Sequence, residues 1–184
     1  MSRRAAFLDR DGVINRAIVR NGKPYPPQDP RELELLPGVP GAVARLRRAG
    51  YLVLVITNQP DVARGTTSKS SVEEINARLC AELALDGVYV CWHDDAAGCN
   101  CRKPQPGLLL DAAREHGVDL GRSFMIGDRW RDVLAGQRAG CRTIWIDRGY
   151  AESAPAGADY TADGLPGAVA WILKDERAAN EDAR

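Results

Sequence analysis

Two aspartates, Asp9 and Asp11, stand two residues apart near the start of the chain, and Gly12 follows them directly. A carboxylate is ionised at neutral pH, so Asp9 can attack phosphorus without a separate base to activate it. Asp11 is placed to protonate a leaving alcohol and later to deprotonate water, which is general acid–base catalysis. The pattern is weak by itself, because Asp and Gly are also typical of turns that follow strands.

Two further polar clusters supply donors for phosphate oxygens. Thr57, Asn58 and Gln59 offer a hydroxyl and two amides. Lys103, in the run Arg102-Lys103-Pro104, is a point charge that can hold a transferring phosphoryl group. We therefore predict that Asp9, Asp11 and Lys103 are catalytic. The residues predicted to bind substrate are Thr57, Asn58, Gln59, Arg64, Arg102 and Arg129.

A third carboxylate, Asp128, follows Gly127 and completes a set suited to a divalent cation. Attack on a phosphate dianion requires that its charge be neutralised, and Mg²⁺ held by carboxylates does this while it orients the oxygens. We predict that Asp9, Asp11 and Asp128 hold a catalytic Mg²⁺.

Three cysteines and a histidine lie within eleven residues of one another, at Cys91, His93, Cys99 and Cys101. Three thiolates and one imidazole make a closed tetrahedral zinc site with no open position, so this zinc would be structural. It would fix a long loop that has little apolar content. The alternatives are unligated cysteines, or a disulfide between Cys91 and one of the two later cysteines.

Short apolar runs alternate with helical patterns along the chain, which predicts an α/β fold with a doubly wound, mostly parallel, Rossmann-like sheet. In such sheets ligands bind beyond the carboxyl ends of the strands, and every polar cluster above follows a predicted strand. The predicted strands are 5–8, 51–56, 88–91, 123–126 and 143–146. The predicted helices are 39–46, 70–83 (with Ser70 and Glu73 as a capping box), 106–117, 130–139 and 165–173.

The length of 184 residues fits one domain, which we place at 1–174, followed by a charged, disordered tail at 175–184. A net charge of zero argues against a broad nucleic-acid-binding surface. The N-terminal segment resembles neither a signal peptide nor a membrane span, so we predict a cytoplasmic protein without a membrane partner. The sequence does not give the oligomeric state, and we favour a monomer.

Together the four clusters, with Asp132, resemble the four motifs of the haloacid dehalogenase (HAD) superfamily, from about residue 5 to residue 145. This resemblance implies a phosphoaspartyl intermediate on Asp9, acid–base catalysis by Asp11 and phosphate binding by Thr57. It further implies that Lys103 steadies nucleophile and phosphate. Mg²⁺ would be held by Asp9, the main-chain carbonyl of Asp11 and Asp128, with Asp132 as a supporting carboxylate.

The cysteine–histidine loop resembles that of the HAD branch containing heptose 1,7-bisphosphate 7-phosphatases and histidinol-phosphate phosphatases. Residues 57–65, which end in Ala-Arg-Gly, are similar to the heptose enzymes, and this implies that Arg64 meets the second phosphate of a bisphosphate. Arg129 instead matches the histidinol-phosphate pattern. The gaps between motifs leave no room for a full cap domain. We expect a sugar bisphosphate substrate, with histidinol phosphate as the alternative. A nucleic-acid 3′-phosphatase or a non-catalytic binding module is disfavoured.

Overall fold

The computed structural model describes residues 2–182, and it describes side chains as far as residue 175. It contains eight strands and five α-helices in this range. The strands are β1 (Arg4–Leu8), β2 (Ile18–Arg20), β3 (Lys23–Tyr25), β4 (Tyr51–Asn58), β5 (Gly87–Cys91), β6 (Phe124–Gly127), β7 (Arg142–Ile146) and β8 (Tyr160–Ala162). The helices are α1 (Val39–Arg48), α2 (Lys69–Leu83), α3 (Gly107–His116), α4 (Trp130–Ala139) and α5 (Leu165–Asp182).

Six strands form one sheet in the order β5-β4-β1-β6-β7-β8, and every neighbouring pair is parallel. The chain builds outward from β1 to β4 and β5, then returns to the other side of β1 with β6. The strand order therefore reverses between β1 and β6, which is where a doubly wound sheet opens a crevice for its ligand. The predicted fold class is confirmed.

Both faces of the sheet are buried because helices cover each of them. In β1, Ala6 and Leu8 pack into one core with residues of α1, α2 and α5, whereas Ala5 and Phe7 pack into a second core with residues of α3 and α4. Successive side chains of a strand point to opposite faces of the sheet, so a strand whose two faces are both buried must be apolar at every position. This explains the continuous apolar runs in the sequence.

The structure corrects several predicted boundaries. Helix α2 begins at Lys69, and its N-cap is Ser68, whose hydroxyl accepts a hydrogen bond from the Ser71 amide; Ser70 is not the cap. Helix α5 continues to Asp182, nine residues past the predicted end at Leu173 and into the predicted tail. Residues 183–184 of that tail lie outside the described residues. The division into a domain and a disordered tail stays a prediction.

The segment between Asn15 and Pro37 contains an antiparallel hairpin, β2–β3, for which the sequence predicts no strand. Its short strands are mostly exposed, and the β3 end of it faces the crevice at the carboxyl ends of the sheet. No separate cap domain is present among the described residues, as predicted. None of the helices in residues 2–182 combines the length and the apolar character needed to cross a membrane.

Candidate active site

A cavity of about 250 Å³ lies at the carboxyl ends of the central strands. Asp9 and Asp11 enter it directly after β1, Asn58 ends β4, and Lys103 comes from the loop before α3. Because the strands are parallel, residues far apart in sequence meet at this one edge of the sheet. The cavity thus gathers the clusters that the sequence predicts to carry the chemistry.

Lys103 is buried between two carboxylates. Its Nζ lies 2.7 Å from Asp9 Oδ1 and 2.5 Å from Asp132 Oδ1, and it also donates to the Ile56 carbonyl at 2.8 Å. Burial by itself lowers the pKa of Lys103, but the two carboxylates outweigh burial, and the net pKa lies above the ordinary lysine value. Lys103 is therefore a fixed positive charge beside the predicted nucleophile.

Burial dominates the electrostatics of Asp9. It raises the pKa of Asp9 to about 6, although the nearby Lys103 charge opposes the rise. Burial also raises the pKa of Asp128 well above its usual value, and Asp9 and Asp132 add to this by repulsion. A cation among these groups would offset both the burial and the repulsion and would favour their ionised form.

One oxygen each from Asp9, Asp128 and Asp132 lies within 4.8 Å of the others, which is close enough to surround a metal ion. Asp128 Oδ2 accepts a hydrogen bond from the Tyr150 hydroxyl at 2.9 Å, while its buried Oδ1 has no hydrogen-bond partner. A buried carboxylate oxygen without a donor is costly, and Mg²⁺ is the kind of ligand that satisfies it. The residues present fit a magnesium site.

Asp11 is held apart from that carboxylate cluster. Arg10, which is fully buried, binds both of its oxygens at 3.0–3.2 Å; Asn15 donates to Oδ1 at 2.9 Å and Gln59 to Oδ2 at 2.8 Å. The Asp11 side chain is not one of the three clustered carboxylates. If Asp11 binds the metal as predicted, it does so through its main-chain carbonyl. Three donors instead fix its orientation toward the cavity.

The three residues at the end of β4 serve different partners. Gln59 donates to Thr57 Oγ1 at 2.8 Å as well as to Asp11, and this joins the two into one network. Asn58 pairs with the main chain of Lys103, with Nδ2 to the carbonyl and Oδ1 to the amide, both at 3.1 Å. Asn58 therefore positions Lys103 through the backbone, and it also lines the cavity.

The three arginines predicted to bind substrate all line the cavity. Arg129 forms an ion pair with Glu152. Arg64 and Arg102 both bind Asp95 on the cysteine loop. Arg64 also pairs with Asp61 at 3.4 Å, so each of the three arginines contacts at least one carboxylate.

The predicted zinc ligands come together at the end of β5. One donor atom from each of Cys91, His93, Cys99 and Cys101 lies within 4.8 Å of the others, and Cys101 Sγ is 3.1 Å from Cys91 Sγ and 3.3 Å from His93 Nδ1. All five cysteines are free thiols in the structure, so the alternative of a disulfide does not occur here. Three thiols and an imidazole that converge in this way fit a tetrahedral zinc ion.

Known proteins are similar to this chain in sequence and in fold. A family model described as HAD-hydrolase-like matches residues 100–169. The D-glycero-D-manno-heptose-1,7-bisphosphate 7-phosphatase of Thermosynechococcus vestitus is 36% identical over 94% of this chain and 96% of its own length. The chain belongs to the HAD-like phosphatases. The D-glycero-beta-D-manno-heptose-1,7-bisphosphate 7-phosphatase of Rhodopseudomonas palustris is 42% identical over 75% of this chain and 80% of its own length.

A solved structure of another HAD-like phosphatase has the same fold. The D,D-heptose 1,7-bisphosphate phosphatase of B. bronchiseptica, complexed with magnesium and phosphate, superposes with a TM-score of 0.81 at 31% identity. The superposition covers 94% of this chain and 99% of that one. The predicted resemblance to the heptose bisphosphate phosphatase branch is confirmed.

Several residues of this HAD-like phosphatase site were not predicted from the sequence. Arg10 and Asn15 hold Asp11, Tyr150 holds Asp128, and Asp95 and Arg131 line the cavity wall. Arg10 carried a signal, since a basic residue between the two aspartates that are predicted to be catalytic has a carboxylate within reach. Tyr150 carried none, because its position depends on how the chain folds back after β7.

Proposed function

We propose that this chain hydrolyses a phosphate monoester of a sugar bisphosphate through a phosphoaspartyl intermediate on Asp9. The observation that carries the proposal is the meeting of Asp9, Asp11 and Lys103 at one cavity, in a chain 36% identical over 94% of its length to a heptose bisphosphate phosphatase. The preferred substrate would be D-glycero-D-manno-heptose 1,7-bisphosphate, and the product the 1-phosphate.

Asp9 supplies the nucleophile in the first step. A carboxylate oxygen of Asp9 attacks phosphorus, the bond from phosphorus to the sugar oxygen breaks, and Asp11 in its protonated form gives its proton to that oxygen. Lys103 is fixed 2.7 Å from Asp9, so its charge stabilises both the reacting carboxylate and the phosphoryl oxygens without rearrangement. Thr57, whose Oγ1 accepts a hydrogen bond from Gln59 at 2.8 Å, would donate its hydroxyl proton to the phosphate.

Asp11 acts in the opposite sense in the second step. It takes a proton from water, the resulting hydroxide attacks the phosphoaspartate, and the bond between phosphorus and Asp9 breaks to release inorganic phosphate. The hydrogen bonds from Arg10, Asn15 and Gln59 hold the Asp11 carboxylate in place for this work. A residue so constrained can serve both steps from one position.

The metals would have separate roles. Mg²⁺, held by Asp9 and Asp128 with Asp132 in support, would neutralise phosphate charge when bound. Zn²⁺ on Cys91, His93, Cys99 and Cys101 would be structural, because four protein ligands leave no open position. The cytoplasmic location, the monomeric state and the absence of a nucleic-acid partner remain predictions of the sequence.

The test is phosphate release in the presence of Mg²⁺ from three substrates side by side: both anomers of heptose 1,7-bisphosphate, and histidinol phosphate. We expect the highest kcat/KM for one heptose bisphosphate anomer. We expect Asp9→Asn to lower kcat at least about a thousandfold while the fold stays intact. Asp111→Asn is the matched control, since Asp111 is an exposed aspartate on α3 that pairs with Arg114.

The outcomes separate the substrate from the mechanism. Much faster turnover of histidinol phosphate would replace the proposed substrate and leave the mechanism in place. Activity retained by Asp9→Asn would overturn the mechanism whatever the substrate.

A further inference from the structure

Asp95 lies on the wall of the cavity and is the meeting point of three arginines. It begins a single turn of 3-10 helix, Asp95–Ala97, on the loop between His93 and Cys99. Its carboxylate accepts hydrogen bonds from Arg64 at 3.3 Å, from Arg102 at 3.1 Å to each oxygen, and from Arg131 at 2.8 Å. All four residues line the cavity.

The three arginines come from separate parts of the chain. Arg64 follows β4, Arg102 follows the cysteine loop, and Arg131 lies in the first turn of α4. Two of them adjoin predicted active-site residues in sequence, because Arg102 precedes Lys103 and Arg131 precedes Asp132. The arginine cluster is thus built onto the same elements that position the catalytic groups.

The charges in the cluster are unequal. Three guanidinium groups face two carboxylates, because Asp61 Oδ1 also lies 3.4 Å from Arg64, and this leaves an excess of one positive charge on the cavity wall. Without Asp95 the three cations would repel one another, and their flexible side chains would separate. Asp95 therefore holds the three guanidinium groups together through direct hydrogen bonds.

The side chains also keep access to the cavity. The exposed fractions are 12% for Arg102, 26% for Arg131 and 42% for Arg64. Planar guanidinium groups match phosphate oxygens in pairs, so three that converge at partial exposure suit a phosphate dianion. Arg102 is anchored further by a hydrogen bond to the His93 carbonyl at 3.2 Å.

We propose that Asp95 is a positioning residue that gathers Arg64, Arg102 and Arg131 into a receptor for the second phosphate of a bisphosphorylated substrate. This inference rests on the proposed function, and it adds the groups that make the enzyme prefer a bisphosphate to a monophosphate. Asp95 touches the arginines and not the reacting atoms, so its loss acts on substrate binding.

The test compares two substrates that differ only in the distal phosphate, heptose 1,7-bisphosphate and heptose 7-phosphate. Asp95→Asn keeps the shape and removes the charge. We expect KM for the bisphosphate to rise about tenfold, with kcat changed less than about twofold and with kcat/KM for the monophosphate unchanged. Asp95→Glu should recover most of the preference, because it restores a carboxylate.

The matched control is Asp94→Asn, the same change on the neighbouring residue. The Asp94 carboxylate accepts from the Ala96 amide at the start of the 3-10 turn, and an asparagine can do the same. We expect wild-type kinetics from this variant.

The wild type tests the proposed function, and the Asp95→Asn variant tests this inference. If the wild type does not favour the bisphosphate over the monophosphate, the proposed function fails and the phosphate receptor fails with it. If the wild type has the preference and Asp95→Asn retains it, only the positioning role is overturned. A fall in KM in Asp95→Asn would also overturn it, since Asp95 would then compete with the phosphate for the arginines. Equal losses in Asp94→Asn would attribute the effect to the loop in general.

Discussion

The described residues contain two clusters of side chains whose donor atoms suit a metal ion, and the fold holds them in different ways. Asp9, Asp128 and Asp132 follow β1 and β6 or lie on α4, and each is less than 10% exposed. In the second cluster, Cys91 ends β5 and is buried, whereas His93, Cys99 and Cys101 lie on an irregular loop. The sheet and α4 position the first cluster. Most of the second cluster lies on a loop without regular structure, so contacts among its own side chains must hold that loop in place.

The two clusters also differ in their charge balance. The carboxylates share Lys103, whose Nζ contacts two of them, so the protein itself neutralises part of the cluster. In the cysteine cluster the thiols and the imidazole contact one another, and among the described side chains no lysine or arginine forms an ion pair with them. We therefore expect the carboxylate cluster to depend most on a side chain and the cysteine cluster to depend most on its ion.

Removal of the Lys103 charge tests whether the carboxylate cluster depends on this side chain, and it should have the largest effect. Lys103→Met leaves two buried carboxylates without their cation, and loss of one partner from a buried ion pair costs about 3–5 kcal/mol. We expect the free energy of unfolding, measured in urea without Mg²⁺, to fall by that amount. Activity should be lost as well.

Lys69→Met is the control for this substitution. Lys69 forms an exposed pair with Glu73, and exposed pairs contribute at most about 1 kcal/mol. If Lys103→Met were as stable as this control, the protein would not depend on Lys103 to balance the cluster.

Zinc removal tests the other half of the comparison. A ligand that binds only the folded state at a thousand times its Kd stabilises that state by about 4 kcal/mol. We expect a chelator to reduce the stability by up to this amount and to release zinc in a 1:1 ratio to protein, as a colorimetric zinc assay would measure. Cys99→Ser should prevent zinc binding and abolish the chelator effect.

Cys80→Ser is the matched control, because Cys80 lies on α2 away from the cluster. It should bind zinc and respond to the chelator as the wild type does. A wild-type protein purified with zinc whose stability is insensitive to its removal would show that the loop holds its own shape.

The same contrast explains what could be predicted from sequence. The continuous apolar run of β4 fixes a buried central strand, so the order of elements and the edge that carries Asp9 and Asp128 followed from local patterns. The spacing of Cys91, His93, Cys99 and Cys101 predicted a cluster because its members are close in sequence. The β2–β3 hairpin was missed because its strands have three residues each and bury almost nothing.

Contacts between distant residues were beyond local patterns. Arg131 and Asp95 are 36 positions apart in sequence, and Tyr150 and Asp128 are 22 apart. The spacing of residues along the chain does not predict such hydrogen-bonded pairs. Ser70 was mistaken for a cap because Ser68, Ser70 and Ser71 lie so close together that sequence alone offers several candidates. The chemistry of the site was therefore easier to predict than the groups that hold it in place.

The smallest expected effect concerns the pH dependence of magnesium binding. The pKa of Asp9 is raised from 3.8 to about 6 by burial, so between pH 4 and 6 the metal-free folded protein binds more protons than the unfolded chain. Its stability from this group is therefore greatest at low pH and falls as pH rises through that window. Mg²⁺ requires the ionised carboxylates, so its stabilising effect must increase over the same range.

We accordingly expect the difference in free energy of unfolding with and without Mg²⁺ to grow between pH 5 and pH 7. The slope should be no more than about 1.4 kcal/mol per pH unit for each proton that the ion displaces. Urea unfolding at pH 5, 6 and 7 measures it, and Asp128→Asn should remove most of the difference at each pH. If the difference in free energy of unfolding with and without Mg²⁺ were constant with pH, burial would not keep these carboxyl groups protonated. The stabilisation by Mg²⁺ would then be no larger at neutral pH than in acid.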